Sequence, residues 1–274
     1  MQNKYKLLVS DIDGTLTDSK GVISPADLKA LQDLEKAGIK VSLSTGRAAR
    51  GCQAVLTQMP AEGFHIFFEG ALVCNSTLTE IIYSRSIDKQ RLAEIRNLAH
   101  LDNLTLELFS PTGYFVERES ALATAHSEMM GFGYTVTDFN SLCMYESIIM
   151  GCLVIPTSEQ MEFRSVLVEF GEKKGLRFTW SMNPARKDIR FVNIIMDDIS
   201  KERALKTLCG YYGIRLDEVA AIGDGAEDIS LLKSAGFSIA MENAPEELKV
   251  VADEITAGVK YNGFSQAIQE FLLQ

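Results

Sequence analysis

The chain has 274 residues, of which 46% are hydrophobic, so it can bury the core of one large domain or of a domain that carries a smaller insertion. Its 27 basic and 37 acidic residues give a net charge of −10. That charge argues against broad binding to nucleic acid or to an anionic membrane, so we expect small-molecule partners. No apolar run approaches the ~20 residues of a membrane span, and we expect a cytoplasmic protein.

The first third alternates short apolar runs with helical patterns, which is typical of βαβ units and a parallel sheet. A helix should begin after the N-cap Ser24, with Pro25 at its first position, and end at Gly38. Strands are predicted over residues 5–10, 40–44 and 66–68, and a second helix over 47–58.

The pattern changes over residues 84–187, where strands are predicted at 104–109, 114–117, 147–155 and 177–180. Leu104, Leu106 and Leu108 alternate with polar residues, which predicts a sheet with one covered and one open face. We interpret this segment as an inserted α+β domain that divides the remaining chain into residues 1–83 and 188–274.

The βα pattern returns with an apolar run over residues 189–196 and a helix that Ser200 caps and Gly213 ends. Further buried strands are predicted over 219–222 and 237–241. The fold class predicted for the whole is therefore α/β, with a Rossmann-like parallel-sheet core domain and an inserted α+β domain.

The five cysteines are odd in number and contain no CxxC pair, which indicates neither a disulfide framework nor a zinc site. The three histidines lie in unrelated contexts, and we interpret each as a surface or packed residue rather than a metal ligand or catalytic base. These residues are Cys52, Cys74, Cys143, Cys152, Cys209, His65, His100 and His126.

Acidic residues follow two of the predicted parallel strands. Asp11 and Asp13 come after the first strand, and Asp224 and Asp228 after the strand at 219–222. Ligands of open α/β sheets bind beyond the carboxyl ends of the strands, so these four carboxylates should meet at one edge. Their mutual repulsion implies a hard divalent cation, and Mg²⁺ fits oxygen ligands of this kind.

Four motifs occur in order: DIDGT at 11–15, STGR at 44–47, a lysine at the head of a helix at Lys201, and GDGxxD at 223–228. Together they resemble the haloacid dehalogenase superfamily, and more narrowly its Cof-type phosphatases with a C2-type cap. The resemblance implies a Mg²⁺-dependent phosphatase that acts on a small phosphorylated metabolite, with a sugar phosphate as one candidate. It also implies that the cap closes over the substrate and governs specificity.

The resemblance implies that Asp11 is the nucleophile that becomes a phospho-aspartate, and that Asp13 is the general acid and base. The metal would be held by Asp11, the backbone carbonyl of Asp13, Asp224 and Asp228. A carboxylate suits the nucleophile's role, because it is ionised at neutral pH and covalent catalysis divides a slow hydrolysis into two displacements.

Phosphate contacts are implied for three further residues. Thr45 and Gly46 would bind phosphoryl oxygens at the start of a helix. Lys201 lies in a first helical turn, where a cation opposes the helix dipole unless an anion lies between them, and would screen the nucleophile and the phosphate.

Other positions leave alternatives open. Arg47 would either contact the substrate or pair with a nearby acid, and the loop at Asn243 would either border the site or cap a helix. Glu69 and Glu227 stand where the family usually has Asn. We place Glu227 among the substrate-binding residues and expect it to turn aside, pair or bind metal.

The sequence alone leaves two alternative functions open. A phosphomutase would return the phosphoryl group to an added sugar phosphate instead of to water. A non-catalytic metal- or phosphate-binding protein, suggested by the acids at 69 and 227, would show no magnesium-dependent turnover. Neither a GxxxxGK[ST] loop nor a full GxGxxG is present, so nucleotide-dependent chemistry is less well supported.

Overall fold

A computed structural model describes residues 3–59, 62–102, 104–183 and 186–273. The chain divides into two compact units. The first comprises Met1–Arg47, Cys52–Tyr83 and Ser200–Gln274, and the second comprises Ala48–Gly51 and Ser84–Ile199.

The strands in the described ranges are numbered in chain order. They are β1 (Leu7–Ser10), β2 (Lys40–Leu43), β3 (Phe64–Phe67), β4 (Leu72–Asn75), β5 (Ile81–Ser84), β6 (Thr105–Phe109), β7 (Tyr114–Val116), β8 (Thr135–Val136), β9 (Met150–Pro156), β10 (Leu176–Asn183), β11 (Arg186–Met196), β12 (Val219–Gly223), β13 (Phe237–Met241) and β14 (Glu254–Thr256).

The α-helices are numbered in the same way. They are α1 (Pro25–Lys36), α2 (Gln53–Leu56), α3 (Lys89–Leu101), α4 (Ala121–Met130), α5 (Phe139–Tyr145), α6 (Gln160–Lys174), α7 (Lys201–Tyr212), α8 (Ile229–Leu232), α9 (Glu246–Lys249) and α10 (Gly263–Ala267). No helix among the described residues is both long and apolar enough to cross a membrane.

The first unit is built on a five-stranded parallel sheet with the order β14-β13-β12-β1-β2. All four residues of β1 are buried, as expected for a central parallel strand covered on both faces. β1, β2 and β12 run in the same direction, so the loops that follow them leave from one edge of the sheet. The predicted α/β core is confirmed.

The ends of α1 follow the predicted signals. The Ser24 hydroxyl accepts a hydrogen bond from the backbone N–H of Asp27 at 3.1 Å, and Pro25 is the first helical residue. Leu31 and Leu34 are buried, and Gly38 ends the turn with φ +75°. This helix therefore buries one apolar face, as its spacing predicts.

The second unit is built on a six-stranded sheet with the order β10-β11-β9-β6-β7-β8, in which all pairs except β7–β8 are antiparallel. Helices α3 to α6 belong to the same unit. This is the α+β architecture expected for the middle of the chain.

The expectation of one open sheet face is wrong for β6. Leu106, Glu107 and Leu108 are all buried, although consecutive strand residues point to opposite faces. Leu108 lines a cavity with residues of α3 and α5, while Glu107 contacts His126 of α4. Both faces of this strand are therefore covered, and the polar residue in the alternating pattern is a buried carboxylate.

Two boundaries differ from those expected. We expected the core pattern to resume at residue 188, but β11 pairs with both β9 and β10, so the second unit extends to Ile199. The helix expected over 47–58 is shorter: a 3₁₀ turn spans Ala49–Cys52 and α2 follows it. The Thr45 hydroxyl accepts a hydrogen bond from the backbone N–H of Arg47, a local turn that competes with helix formation.

Candidate active site

Asp11 follows β1 directly and is buried, with 6% of its surface exposed. The Lys201 ammonium donates to its Oδ1 at 3.2 Å. Burial raises the pKa of Asp11 well above its usual value; Lys201 opposes this effect, and the carboxylates of Asp228, Asp224 and Asp13 add to it. An ionised Asp11 therefore depends on nearby positive charge.

Lys201 is 2% exposed and lies in the first turn of α7, after the N-cap Ser200. Its Nζ also donates to Asp228 Oδ1 at 2.6 Å and to the Ser44 carbonyl at 3.3 Å. Desolvation lowers the pKa of Lys201, but the negative charges of Asp228 and Asp11 together raise it by more than this. The pKa of Lys201 is therefore raised overall, and the ammonium is charged. These anions offset the unfavourable position of a cation at a helix N-terminus.

Asp228 is completely buried, and both of its carboxylate oxygens are engaged. Oδ1 accepts from Lys201, and Oδ2 accepts from the backbone N–H groups of Asp224 and Gly225 at 3.2 and 3.1 Å. Asp228 thereby fixes the loop after β12 and the position of Asp224 within it.

Asp224 is held by Thr15 and Asn243, two residues to which the motifs assign no firm role. The Thr15 hydroxyl donates to its Oδ1 at 3.0 Å, and the Asn243 amide donates to its Oδ2 at 2.8 Å and to the Gly14 carbonyl at 3.0 Å. Burial raises the pKa of Asp224 to about 6, with Thr15 opposing this and Asp228 and Glu227 adding to it. Asn243 thus borders the site, which resolves one of the open alternatives.

Asp11, Asp224 and Asp228 each offer a carboxylate oxygen, and these oxygens lie within 4.8 Å of one another. Three oxygen donors this close suit a hard cation such as Mg²⁺, whose charge would offset their repulsion. The residues present therefore fit a divalent metal centre.

Asp13 is not part of this group of three carboxylates, and its side chain is 52% exposed. Arg47 holds it through two hydrogen bonds, from Nε to Oδ2 at 2.7 Å and from Nη2 to Oδ1. Of the two alternatives for Arg47, the structure shows the pairing with an acid. A bidentate guanidinium of this kind fixes the plane of the carboxylate.

Thr45 and Gly46 follow β2 and lie beside the loop that contains Glu69. The Thr45 backbone N–H donates to Ile66 at 2.9 Å, and its carbonyl accepts from Glu69 N–H at 3.1 Å. A Cβ placed at Gly46 would lie 3.3 Å from the Glu69 side chain. The expected helix N-terminus is not present at these residues, because the helical turns begin only at Ala49.

Glu227 is exposed in the short 3₁₀ turn Ala226–Asp228. Its carboxylate folds back over Gly225, where a Cβ would lie 2.4 Å from Glu227 Cδ. Glu227 also contributes to the raised pKa values of Asp224 and Lys201, so its charge acts on the buried group.

A family model described as haloacid dehalogenase-like hydrolase matches residues 8–268. The chain belongs to this family.

Relatives of this haloacid dehalogenase-like hydrolase cover nearly the whole chain. Phosphatase YwpJ of Bacillus subtilis is 24% identical, over 97% of this chain and 100% of the relative. The 5-amino-6-(5-phospho-D-ribitylamino)uracil phosphatase YcsE of Bacillus subtilis is 27% identical, over 98% of this chain and 96% of the relative. The relatives confirm the predicted Cof-type resemblance, and the chain is an enzyme of the phosphatase class.

A solved haloacid dehalogenase-like hydrolase from Bacteroides thetaiotaomicron matches with a TM-score of 0.84 and 25% identity. The match covers 98% of this chain and 100% of the solved chain. It confirms the fold class predicted from the sequence.

Proposed function

We propose that this enzyme is a Mg²⁺-dependent hydrolase of small phosphate monoesters and that it forms a phospho-aspartate on Asp11. One observation carries the proposal: a buried carboxylate after the central strand is bonded to a buried lysine and grouped with two further carboxylates. That arrangement combines a nucleophile, a cation that screens negative charge, and ligands for a divalent metal.

Asp11, Asp224 and Asp228 would hold Mg²⁺ together with the backbone carbonyl of Asp13. When bound, the cation offsets negative charge around the phosphoryl group and so lowers the barrier to attack. Lys201 already engages Asp11 Oδ1, which leaves Oδ2 to attack phosphorus.

In the first step Asp11 Oδ2 forms a bond to phosphorus while the bond to the leaving oxygen breaks, and Asp13 gives that oxygen a proton. In the second step Asp13 takes a proton from water, whose oxygen attacks phosphorus and releases phosphate and free Asp11. The Arg47 pair holds the ionised Asp13 carboxylate in place after it has given up its proton and before it takes one from water. Thr45, Gly46 and Lys201 would bind the phosphoryl oxygens.

The substrate we propose is a phosphate ester of a small polyhydroxylated metabolite. A relative named for a phospho-D-ribityl compound supports this class, since that compound carries its phosphate on a sugar-alcohol chain. We further propose that the second unit selects among such esters.

The test is a phosphate-release screen over sugar phosphates, sugar-alcohol phosphates, nucleotides and a chromogenic ester, with and without Mg²⁺. Asp11→Asn should fold but lose at least about a thousand-fold in turnover, because an amide does not attack phosphorus. Chelation of metal should also abolish the activity. The matched control is Asp18→Asn, whose side chain accepts hydrogen bonds from the backbone N–H groups of Lys20 and Val22.

Full activity in Asp11→Asn, or unchanged activity in excess chelator, would overturn the mechanism. Transfer of phosphate to an added sugar phosphate in preference to water would identify a phosphomutase instead.

A further inference from the structure

A second cluster of potential metal ligands lies inside the second unit. Glu107 on β6 and Cys152 on β9 are completely buried, and His126 on α4 is 7% exposed. None of these residues belongs to the site described above, which lies in the first unit.

Strand pairing brings the cluster together. Glu107 and Cys152 are direct partners in the antiparallel β6–β9 ladder, so their side chains project from the same face of the sheet. Tyr114 pairs with Phe109, two residues after Glu107, and lies on that face as well. His126 reaches the same place from α4.

The carboxylate of Glu107 is held from two sides. Its Oε2 shares a hydrogen bond with His126 Nδ1, and its Oε1 accepts from the Tyr114 hydroxyl at 2.8 Å. The His126 ring stacks on Phe191 with centroids 4.1 Å apart. The ligands are thus positioned by packing and by a neighbouring hydroxyl, as metal-binding residues commonly are.

One nitrogen, one sulfur and one oxygen donor lie within 4.8 Å of one another in this cluster. Ligands of a tetrahedral zinc ion lie about 2.0–2.3 Å from the metal, so a shift of the His126 and Glu107 side chains by roughly an ångström would admit one. Sulfur and imidazole donors favour zinc over the hard cations Mg²⁺ and Ca²⁺.

We propose that Glu107, His126 and Cys152 bind one zinc ion inside the second unit. The ion would replace two protons, one from the thiol and one from the His126–Glu107 pair. The thiolate and the carboxylate then balance its two positive charges, and the imidazole is neutral. The buried site stays uncharged overall, which avoids the cost of an unpaired charge in the interior.

The test uses the full chain, expressed in medium supplemented with zinc or with cobalt and desalted into buffer with excess Mg²⁺. We expect about one zinc per chain by elemental analysis. The cobalt protein should show a near-ultraviolet band from thiolate-to-cobalt charge transfer, which oxygen ligands alone do not produce. Cys152→Ser and Glu107→Gln should each lose most of the bound zinc, and Cys152→Ser should lose the band.

Two controls separate this cluster from other candidate sites. Cys209→Ser removes another buried free thiol, on α7 of the first unit, and should retain both zinc and band. Asp224→Asn alters the carboxylate group of the first unit and should also retain both. The proposal is overturned if wild type shows no thiolate band, or if zinc is retained by Cys152→Ser and lost from Asp224→Asn. In that case the cluster is a buried histidine–carboxylate pair only.

Discussion

A single ammonium group organises the candidate active site. Lys201 Nζ contacts Asp11 after β1, the Ser44 carbonyl after β2 and Asp228 after β12. Because these groups are buried, removal of the lysine would leave the carboxylates of Asp11 and Asp228 without their cationic partner, a change that typically costs about 3–5 kcal/mol. The same contact leaves Oδ2 of Asp11 for the proposed attack on phosphorus.

Gly14 shows how closely the loop after β1 approaches Asp224 in the loop after β12. It has φ +85°, and a Cβ at this position would lie 2.2 Å from Asp224 Oδ2. We therefore expect Gly14→Ala to displace Asp224 and to raise the Mg²⁺ concentration for half-maximal activity by an order of magnitude or more. Magnesium titrations of phosphate release would measure the change.

Gly21→Ala is the matched control. Gly21 has φ +75° but nothing within 4 Å of the position of a Cβ. Both variants should lose about 1–2 kcal/mol of stability from the left-handed backbone. Only Gly14→Ala should change the magnesium requirement, and an equal change in both would show that backbone strain alone is responsible.

Glu227 supplies negative charge beside Asp224, a proposed metal ligand, since it contributes to the raised pKa of Asp224. We expect Glu227→Asn to raise the magnesium concentration needed for half-maximal rate by a few-fold, because one attractive charge is lost. Glu254→Gln, an exposed acid on β14, is the control and should leave this concentration unchanged. Tighter substrate binding with an unchanged magnesium requirement would contradict the expectation.

At the scale of elements, His65 links β3 to β2. Its Nδ1 accepts from the backbone N–H of Leu43 at 3.0 Å, so Nε2 carries the proton and donates to the Ser76 hydroxyl at 2.9 Å. Burial lowers the pKa of His65 from its usual 6.5 to about 4. Protonation of His65 Nδ1 would place its N–H against the backbone N–H of Leu43 and break this hydrogen bond between β3 and β2.

This link predicts a pH dependence of stability. Between pH 6.5 and about 4 the unfolded chain binds a proton at His65 and the folded chain does not, so the free energy of unfolding falls as pH falls. The decrease in the free energy of unfolding approaches roughly 3 kcal/mol across that pH range. Urea denaturation at pH 7, 5.5 and 4.5 should show a smaller fall for His65→Asn than for wild type.

His100→Asn is the control, because His100 is an exposed residue of α3 that pairs with Glu117. Its denaturation curves should follow those of the wild type at each pH. If His65→Asn also followed the wild type, the burial of His65 would not be the cause of the pH dependence.

Elements with local signals were predictable, and contacts that depend on the fold were not. The caps and glycines that bound α1 and α7 act within one turn, and the acids after β1 and β12 meet because parallel strands end at one edge. The contacts of Thr15 with Asp224 and of Asn243 with Gly14 each span more than 200 residues, and sequence spacing does not report such contacts.

The cluster in the second unit escaped prediction for the same reason. Glu107, His126 and Cys152 have no metal-binding spacing; the pairing of β6 with β9 brings Glu107 and Cys152 together, and α4 adds His126. The alternation around Glu107 even indicated an open face, because the pattern does not distinguish a solvated carboxylate from a buried one that has partners.

At the scale of the whole molecule, the residues proposed for catalysis and those proposed to select the substrate lie in different units. The site residues from Asp11 to Arg47 and from Lys201 to Asp228 all lie in the first unit, and Ser84–Ile199 is inserted between Tyr83 and Ser200 of that unit. We expect a variant with Ser84–Ile199 replaced by a short Gly-Ser linker to fold and to hydrolyse a chromogenic ester. Its ranking of metabolite esters should differ from that of the full chain.

The measurements are circular dichroism and the phosphate-release screen. A truncated Asp11→Asn variant controls for contaminating phosphatase and should be inactive. If the truncated enzyme kept the parent's ranking of substrates, the second unit would not determine specificity.

The position of β1 in the sheet has a consequence for synthesis on the ribosome. β1 is a central strand, yet one of its two neighbours, β12, is encoded more than 200 residues later. At about 5–20 residues per second, β12 emerges roughly 10 to 40 s after β1. During that interval the nascent chain exposes an unpaired apolar strand edge, which is a template for aggregation. Ser84–Ile199 is complete before β12 appears, so the second unit can fold while β1 still lacks this neighbour.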